Sequence, residues 1–303
     1  MNMTRGCLAS LRRQQNSTAF RTLVVDDGST DGTAEMIASE FPEVHVLKGD
    51  GNLWWTGATN LGIEYAIKQQ SARDTDFILT LNNDLEVPPH YLETMIRNAA
   101  NNDKVVLGSI SLDIARPGHM NFCGVTWNEY TARYHDIARD YQNSFAALQS
   151  KKEPVHSHML PGRGTLYPVS LVKEIGLYDA ANFPQYAADE DFTLRARRKG
   201  WNLLIPSNNY LESHISETGV SIDNATFSLD YYRKLFFSIR SPLNLKTRYR
   251  WAMKNTRLKI VYFLIDCARL TASVFISSIR NLFRRSLSPD AQSGAGQSAR
   301  NNA

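Results

Sequence analysis

The run Val24-Val25-Asp26-Asp27-Gly28-Ser29-Thr30-Asp31-Gly32-Thr33 constrains this chain more than any other stretch. Three apolar residues, Leu23 to Val25, stop at two carboxylates, and a Gly/Ser/Thr/Asp cluster then calls for a turn. Ala34, Met36, Ile37 and Ala38 supply the apolar positions of a helix reaching Phe41, with Asp31 or Thr30 as its cap. The segment therefore reads as strand, acidic tip, turn and helix. In open α/β sheets, ligands sit outside the carboxyl ends of strands, which is where Asp26 and Asp27 would stand. Taken alone, Asp-Asp-Gly is equally well a βα loop with a good cap.

The same alternation continues along the first half. Strands are expected at Thr22–Val25, Val44–Leu47, Asp76–Leu81 and Val105–Ile110, with helices at Ala34–Phe41, Ala58–Gln70 and Pro89–Ala100. Such alternation predicts a mostly parallel sheet covered by helices. The stretch Asp113 to Pro161 is less regular and rich in aromatics and histidine, so it reads as an antiparallel excursion or a set of loops. Order returns with Gly164 to Pro168, a helix near Ser170 to Ile175, a helix from Asp189 to Lys199 ended by Gly200, and a strand from Trp201 to Ile205. With 303 residues, 43% of them hydrophobic and 21% charged, the chain has the material for a substantial core and is not a disordered protein. Its three cysteines are scattered, fit neither a disulfide framework nor a zinc site, and point to a reducing compartment. Met1 to Gln15 is basic but has no continuous apolar stretch, so it is not a signal peptide.

Three constellations can carry chemistry. Leu81-Asn82-Asn83-Asp84-Leu85 ends a strand and precedes a proline-initiated helix; a carboxylate there suits a hard cation, though Asn-Asn-Asp is also an ordinary turn. Asp189-Glu190-Asp191 crowds three acids at a helix start. The helix dipole and an i,i+4 pair between Asp191 and Arg195 explain part of that pattern. Crowding of like charges is expected to raise the pKa of at least one of them toward that of a general base. Gly49-Asp50-Gly51-Asn52-Leu53-Trp54-Trp55 is read as a glycine loop in which Asn52, and Asn60 beyond it, can bond a sugar or base. Its two tryptophans are either core plugs or a stacking wall.

Taken together and in this order, these motifs resemble the family 2 inverting glycosyltransferases. The region Gly176-Leu177-Tyr178-Asp179, Tyr186, Asp189-Glu190-Asp191-Phe192, Arg195 and Gly200-Trp201 follows the family's acceptor-side pattern, with Ala188 where that pattern has Glu. The resemblance runs from about Thr4 to Gly219 and looks closest to rhamnosyltransferase-like bacterial members. It implies a GT-A fold and inverting transfer of a sugar from a nucleotide-diphospho-sugar to an acceptor hydroxyl. Asp189 would be the base, with Asp191 beside it in the catalytic pair. It assigns Asp26, Asp27, Asn52, Trp54, Trp55, Asn60, Asn82, Asn83 and Arg163 to the nucleotide-sugar. Asp84 and His214 would hold a divalent cation, Mg2+ or Mn2+, although Asn82 stands where many relatives have Asp and His214 lacks the usual trailing residues. A lone His is otherwise a packing or surface residue.

From Arg233 to Arg285 there are thirteen Lys/Arg and one acid, Asp266. Asp266, Arg269, Ser273, Ser277, Arg280 and Arg284 form a polar stripe along an otherwise apolar helix spanning Arg257 to Arg285. Those charges argue against a transmembrane span. They suit an amphipathic helix lying on an anionic membrane surface, or packing on a neighbouring domain. No nucleic-acid partner is expected. The divisions predicted are 1–230 for the transferase, 231–285 for a basic amphipathic helical extension and 286–303 for a disordered tail. The expected setting is cytoplasmic, peripheral on the inner face of the cell membrane, with a lipid-linked or saccharide acceptor and a role in surface polysaccharide or lipopolysaccharide synthesis.

A nucleotidyltransferase would share the acidic tips but needs an early Gly-rich, Lys/Arg-bearing phosphate loop, and none is visible. A non-catalytic or weakly active nucleotide-sugar-binding protein on the membrane is the other reading. It draws support from the opening decapeptide, which matches the family's second strand motif while Thr4 to Gln15 ahead of it resembles the helix after a first strand. The first strand is thus expected to be missing, leaving a neighbour's edge exposed.

Overall fold

The computed structural model describes residues 1–15, 19–100, 102–214 and 228–286, with side chains as far as Asn281. The chain divides into two units, Met1–Glu217 and Thr218–Ala303. In chain order the first contains α1 (Asn2–Arg12), β1 (Leu23–Asp26), α2 (Thr33–Glu40), β2 (His45–Lys48), α3 (Trp54–Lys68), β3 (Phe77–Thr80), β4 (Leu85–Glu86) and α4 (Tyr91–Ala100). It continues with β5 (Val105–Leu107), β6 (Ile110–Asp113), β7 (Met120–Phe122), β8 (Val125–Asn128), β9 (Arg133–Asp136), α5 (Phe145–Gln149) and β10 (Val155–His156). It ends with β11 (Thr165–Pro168), α6 (Val169–Ile175), α7 (Ala188–Arg198), β12 (Asn202–Ile205) and β13 (Tyr210–Ser213).

The α/β class expected from the alternation is present, but the sheets are mixed rather than mostly parallel. One has the order β10-β12-β5-β11-β3 and another β4-β13-β6-β7. β5 and β12 are parallel, as are β6 and β13, whereas β11 runs antiparallel to both β3 and β5. The reason is connectivity: the segment between β6 and β11 is spent on short antiparallel strands, including the β8–β9 hairpin, rather than on a crossover helix. β1 and β2 pair in parallel with each other and belong to neither larger sheet. The run expected as one strand from Val105 to Ile110 is two, broken at Gly108-Ser109, so that β5 joins one sheet and β6 the other. A β-carbon at Gly108 would meet Leu160 at 2.6 Å and Ile205 at 3.0 Å, so a bare backbone is needed where the sheets hand over.

The core joins Leu8 and Leu11 of α1, Met36, Ile37 and Phe41 at α2, Tyr91 and Met95 of α4, and Leu107, Leu166, Leu204 and Leu211 of the sheets. Leu85, Val87 and Leu211 lie in this core. By strand alternation, Asp84, Glu86, Glu212 and His214 occupy the opposite face of the β4–β13 ribbon.

The second unit contains α8 (Leu229–Phe237), α9 (Leu245–Asn255) and α10 (Lys259–Ser286). Its small core is Leu235, Leu243 and Val274, with Tyr231, Tyr232, Phe236 and Leu270 packed around it. Along α10, Tyr262, Asp266, Val274 and Ser278 are buried. Asp266 is therefore not part of an exposed polar stripe: its carboxylate accepts from Arg248 Nη1 at 2.7 Å. Val261, Leu264, Ala268, Ala272 and Phe275, at steps of three and four, are exposed instead. By length and composition alone, residues Lys259–Asn281 suffice to cross a membrane, with mean hydropathy 1.6. The expected tail beyond Ser286 lies outside the described residues.

Candidate active site

The site is organised by the β4–β13 ladder. Its register sets Ser213 opposite Leu85 and Glu212 opposite Glu86, and the next step sets His214 opposite Asp84, with His214 N–H donating to the Asp84 carbonyl at 3.1 Å. Residues directly opposite each other in this way have β-carbons roughly 5 Å apart. His214 Nε2 lies 3.4 Å from Glu86 Oε1. Asp84 is 9% exposed, and its Oδ1 is buried without a hydrogen-bond partner. Burial raises its pKa, while Arg163 and His214 pull it back down.

α1 forms the floor beneath this loop. Asn83 Nδ2 donates to Thr4 Oγ1 at 3.1 Å, and the Cys7 thiol donates to the Asn82 carbonyl at 3.6 Å. Asn83, expected at the nucleotide-sugar, uses its amide nitrogen to tie the loop to α1. Burial, with Asp84 and Glu86 nearby, pushes the Cys7 thiol up to about 12.

The tryptophans do not sit in a loop. α3 begins at Trp54, four residues ahead of the expected start at Ala58. Its first amides are capped from elsewhere in the chain: Trp54 N–H donates to Asp27 Oδ2 at 3.1 Å, Trp55 N–H to Gln185 Oε1 at 3.1 Å and Thr56 N–H to the Pro184 carbonyl at 3.0 Å. Trp55 Nε1–H donates to Asn82 Oδ1 at 3.0 Å. The Trp55 ring meets Tyr178 edge-on with centroids 5.5 Å apart and lies where a β-carbon on Gly162 would be. Trp55 is thus a plug between the Asn82 loop and the Gly162 segment, not an open stacking wall. Asn60 is likewise structural. Its side chain donates to the Tyr178 carbonyl at 2.9 Å and accepts the Tyr178 N–H at 3.0 Å, so the amide expected to meet the sugar is already engaged.

Asp189 and Asp191, two residues apart, have different surroundings. Asp189 is half-buried at the start of α7; its Oδ2 accepts from Gly162 N–H at 2.8 Å and its Oδ1 from Glu190 N–H at 2.9 Å. Burial raises its pKa, and those two amides together with Arg163 oppose the rise. Desolvation, rather than crowding by acidic neighbours, is therefore the principal cause. Asp191 is fully buried, 2.9 Å from Arg195 Nε, and Arg195 also holds the Ile175 and Leu177 carbonyls. In this structure Asp191, expected beside Asp189 in the catalytic pair, has no exposed surface and holds Arg195, which ties α7 to the end of α6. Two positions along a helix of about 3.6 residues per turn leave on nearly opposite faces, which is why the two acids have opposite fates.

Asp26 and Asp27 stand at the end of β1 as expected. Asp26 Oδ1 accepts from Ser29 N–H at 2.8 Å, closing the turn, and Asp27 Oδ1 accepts from Gly51 N–H at 2.8 Å. Asp27 thus holds the glycine loop with one oxygen and caps α3 with the other. Asn52 is exposed in that loop, and its N–H donates to Asp50 Oδ1 at 2.8 Å. The positive charge of Arg163, in the loop before β11, lowers the pKa of both Asp84 and Asp189 against the rise that burial imposes. Sequence reasoning misses Glu86 and Gln185. The stretch Glu86-Val87-Pro88 is silent until β13 is placed beside it.

Among the described residues, no three His, Cys, Asp or Glu side chains gather tightly enough to cage an ion. The donor set fits a different kind of site. Mg2+-type cations are bound by one or two protein ligands with substrate phosphates and water completing the shell, and the unpartnered Asp84 oxygen with His214 across the ladder can provide that protein share.

A family profile described as Glycosyl transferase family 2 matches residues 2–176. No curated protein matches the chain in sequence. Among solved structures, GalNAc-T7 with UDP, GalNAc and Mn2+ is similar at 12% identity and TM-score 0.53, over 82% of this chain and 47% of that one. TarS residues 1–349 of S. aureus is similar at 16% identity and TM-score 0.50, over 90% of this chain and 77% of that one. The chain thus spans about half the length of the GalNAc-T7 structure, and at these identities the likeness establishes the GT-A fold.

Proposed function

Because the chain belongs to glycosyl transferase family 2, we propose that it transfers a sugar from a nucleotide-diphospho-sugar to an acceptor hydroxyl with inversion. The observation that carries this reading is geometric: Asp84 keeps a buried oxygen with no partner, and the Asp189 carboxylate is held at the start of α7 by the Gly162 and Glu190 amides. A raised carboxylate with exposed surface suits a general base, and Asp189 would take the proton of the acceptor hydroxyl as its oxygen attacks the anomeric carbon. The Gly162 and Glu190 amides hold that carboxylate in one orientation before substrate arrives. Arg163 would meet negative charge building on the departing diphosphate. When bound, Mg2+ or Mn2+ supplies further neutralisation of that leaving group, with Asp84 and His214 as its protein ligands. The Mn2+ and UDP present in the GalNAc-T7 structure support this choice. Asp26, Asp27, Asn52 and Trp54 would border base and ribose, with Asn82 and Trp55 shaping the wall between donor and base.

The donor would be a hexosyl or deoxyhexosyl nucleotide, as in the rhamnosyltransferase-like members the motifs resemble, and the setting bacterial surface polysaccharide or lipopolysaccharide synthesis. Thermal shifts with UDP-, dTDP- and GDP-sugars, with and without Mn2+, identify the donor, since a ligand bound only by the folded state raises its stability. Anomeric configuration of the product, read by NMR, tests inversion. Donor binding without turnover in any acceptor mixture would favour the non-catalytic reading; absence of binding to every nucleotide-sugar would overturn both.

The second unit supports peripheral attachment to an anionic membrane on the cytoplasmic side. The exposed face of α10 is apolar, and exposed Arg257, Lys259, Arg269 and Arg280 border it. The Asp266–Arg248 pair binds α10 side-on to α9, an arrangement that favours lying in the interface over crossing it. Flotation with vesicles containing anionic lipid, followed by carbonate extraction, tests this: a protein released by carbonate is peripheral, and one retained spans.

A further inference from the structure

We infer that Glu86 is a positioning residue for His214, its carboxylate accepting the Nε2–H and so reserving Nδ1 for the cation shared with Asp84. The inference rests on the proposed metal site and adds a residue that proposal does not use. Four observations lead to it. Glu86 and His214 lie on the same face of the β4–β13 ribbon, away from the core occupied by Leu85, Val87 and Leu211. His214 Nε2 is within 3.4 Å of Glu86 Oε1. Glu86 faces Glu212 across the ladder, and like charges in that position are unfavourable unless a donor or cation stands beside them; His214 is that neighbour. Finally, α1 makes room. A β-carbon at Gly6 would come 3.1 Å from Glu86 Oε1, and a mid-helix glycine is a poorer helix former than alanine, so position 6 gives up helix propensity for space above it.

The physical need is a defined tautomer. A neutral imidazole has one N–H and one lone pair, and a carboxylate on one nitrogen decides which nitrogen can ligate. Without Glu86 the ring is free to exchange tautomers and to turn, and only part of the population offers Nδ1. The arrangement also explains why Glu86 itself need not reach the ion: its oxygen is spent on the imidazole.

The test reads the tautomer directly and the metal separately. Histidine 15N shifts of the full chain, with His214 assigned from a His214→Ala sample, are expected to show a protonated Nε2 in the wild type. In Glu86→Ala that single tautomer is expected to give way to a mixture, while Glu86→Gln, which keeps an acceptor oxygen, retains it. Free Mn2+ measured by electron paramagnetic resonance, with and without UDP, is expected to show a ten- to hundredfold weaker Kd in Glu86→Ala. Glu86→Ala added to His214→Ala is expected to weaken binding no further. An unchanged tautomer in Glu86→Ala, or an equal loss of Mn2+ affinity in both backgrounds, overturns the inference. If the wild type takes up no Mn2+ under either condition, the metal proposal fails instead, and the tautomer of Glu86→Ala alone decides whether Glu86 positions His214. Should Glu86→Ala unfold, Gly6→Ala, which presses on the carboxylate from α1, replaces it and is expected to disturb the same signal.

Discussion

Around the candidate site of the N-terminal unit the groups out of place are polar atoms under cover; along α10 of the C-terminal unit they are apolar side chains in the open. Asp84 keeps a buried oxygen with no partner, and Asp189 is held ionisable where burial disfavours its charge. Leu264, Phe275 and Ile276 are 61%, 53% and 56% exposed, while the one acid of that stretch, Asp266, is buried against Arg248. Each departure lowers stability in isolation, by desolvation in the first case and by hydrated apolar surface in the second. On the proposed function, a cation and a diphosphate would relieve the first and a lipid surface the second.

The contrast breaks most visibly at Asp189. Asp189→Asn is expected to lower transfer about 10²- to 10⁴-fold, the usual share of a general base, while donor binding by thermal shift persists. Because burial raises the Asp189 pKa, its carboxylate loses activity as pH falls through a value above the ordinary carboxylate range. The acidic limb of the pH–rate profile should therefore lie higher than for an exposed Asp, and should vanish in the residual activity of the variant.

Asp191 should behave in the opposite way. Removing one partner of a buried ion pair leaves the other uncompensated, so Asp191→Asn is expected to cost about 3–5 kcal/mol. Denaturant unfolding measures that loss, and activity per folded molecule at low temperature should be nearly retained. A purely catalytic defect in a stable Asp191→Asn protein would return it to the site.

On the C-terminal unit, Leu264→Asp or Phe275→Asp is expected to weaken vesicle binding about tenfold or more. That magnitude follows from the roughly 1.5–3 kcal/mol that burying such a side chain contributes. Transfer to a soluble acceptor should not change. Equal flotation of variant and wild type would mean the exposed face meets something other than lipid.

The smallest effect concerns Asp84. Asp84→Asn removes a desolvated charge and is expected to stabilise the protein by roughly 0.5–2 kcal/mol at neutral pH, while Mn2+ binding is lost. The sign follows from linkage: a carboxyl whose folded pKa is raised bears no penalty below its unfolded pKa, and bears all of it above its folded pKa. The stability gain should therefore shrink as pH falls through that window. A variant less stable than wild type at pH 7 would show that the Asp84 carboxylate is satisfied in solution.

Much of the frame is legible in the sequence alone. The apolar runs ending at Asp26, Thr80 and Ile205 are strands because short β-branched and leucine-rich stretches between turn residues have few other solutions. The start of α3 is not legible, because Trp54, Trp55 and Thr56 have no local cap and borrow Asp27, Gln185 and Pro184 from distant segments. The break at Gly108 is hidden for a similar reason. Its cause is Leu160 and Ile205 arriving from elsewhere, and a run of apolar residues carries no trace of them.

For the candidate site, local sequence by itself picked out the polar residues proposed to carry chemistry and the strand and helix ends that present them, since strand ends, turns and helix starts are set over a few residues. Only the tertiary structure decided their surroundings. It separated Asp189 from Asp191, turned Trp55 and Asn60 into supports, and laid Glu86 beside His214 from 128 positions away. Burial and hydrogen-bond partners set a carboxylate's charge and a side chain's availability, and both come from neighbours that only folding brings together.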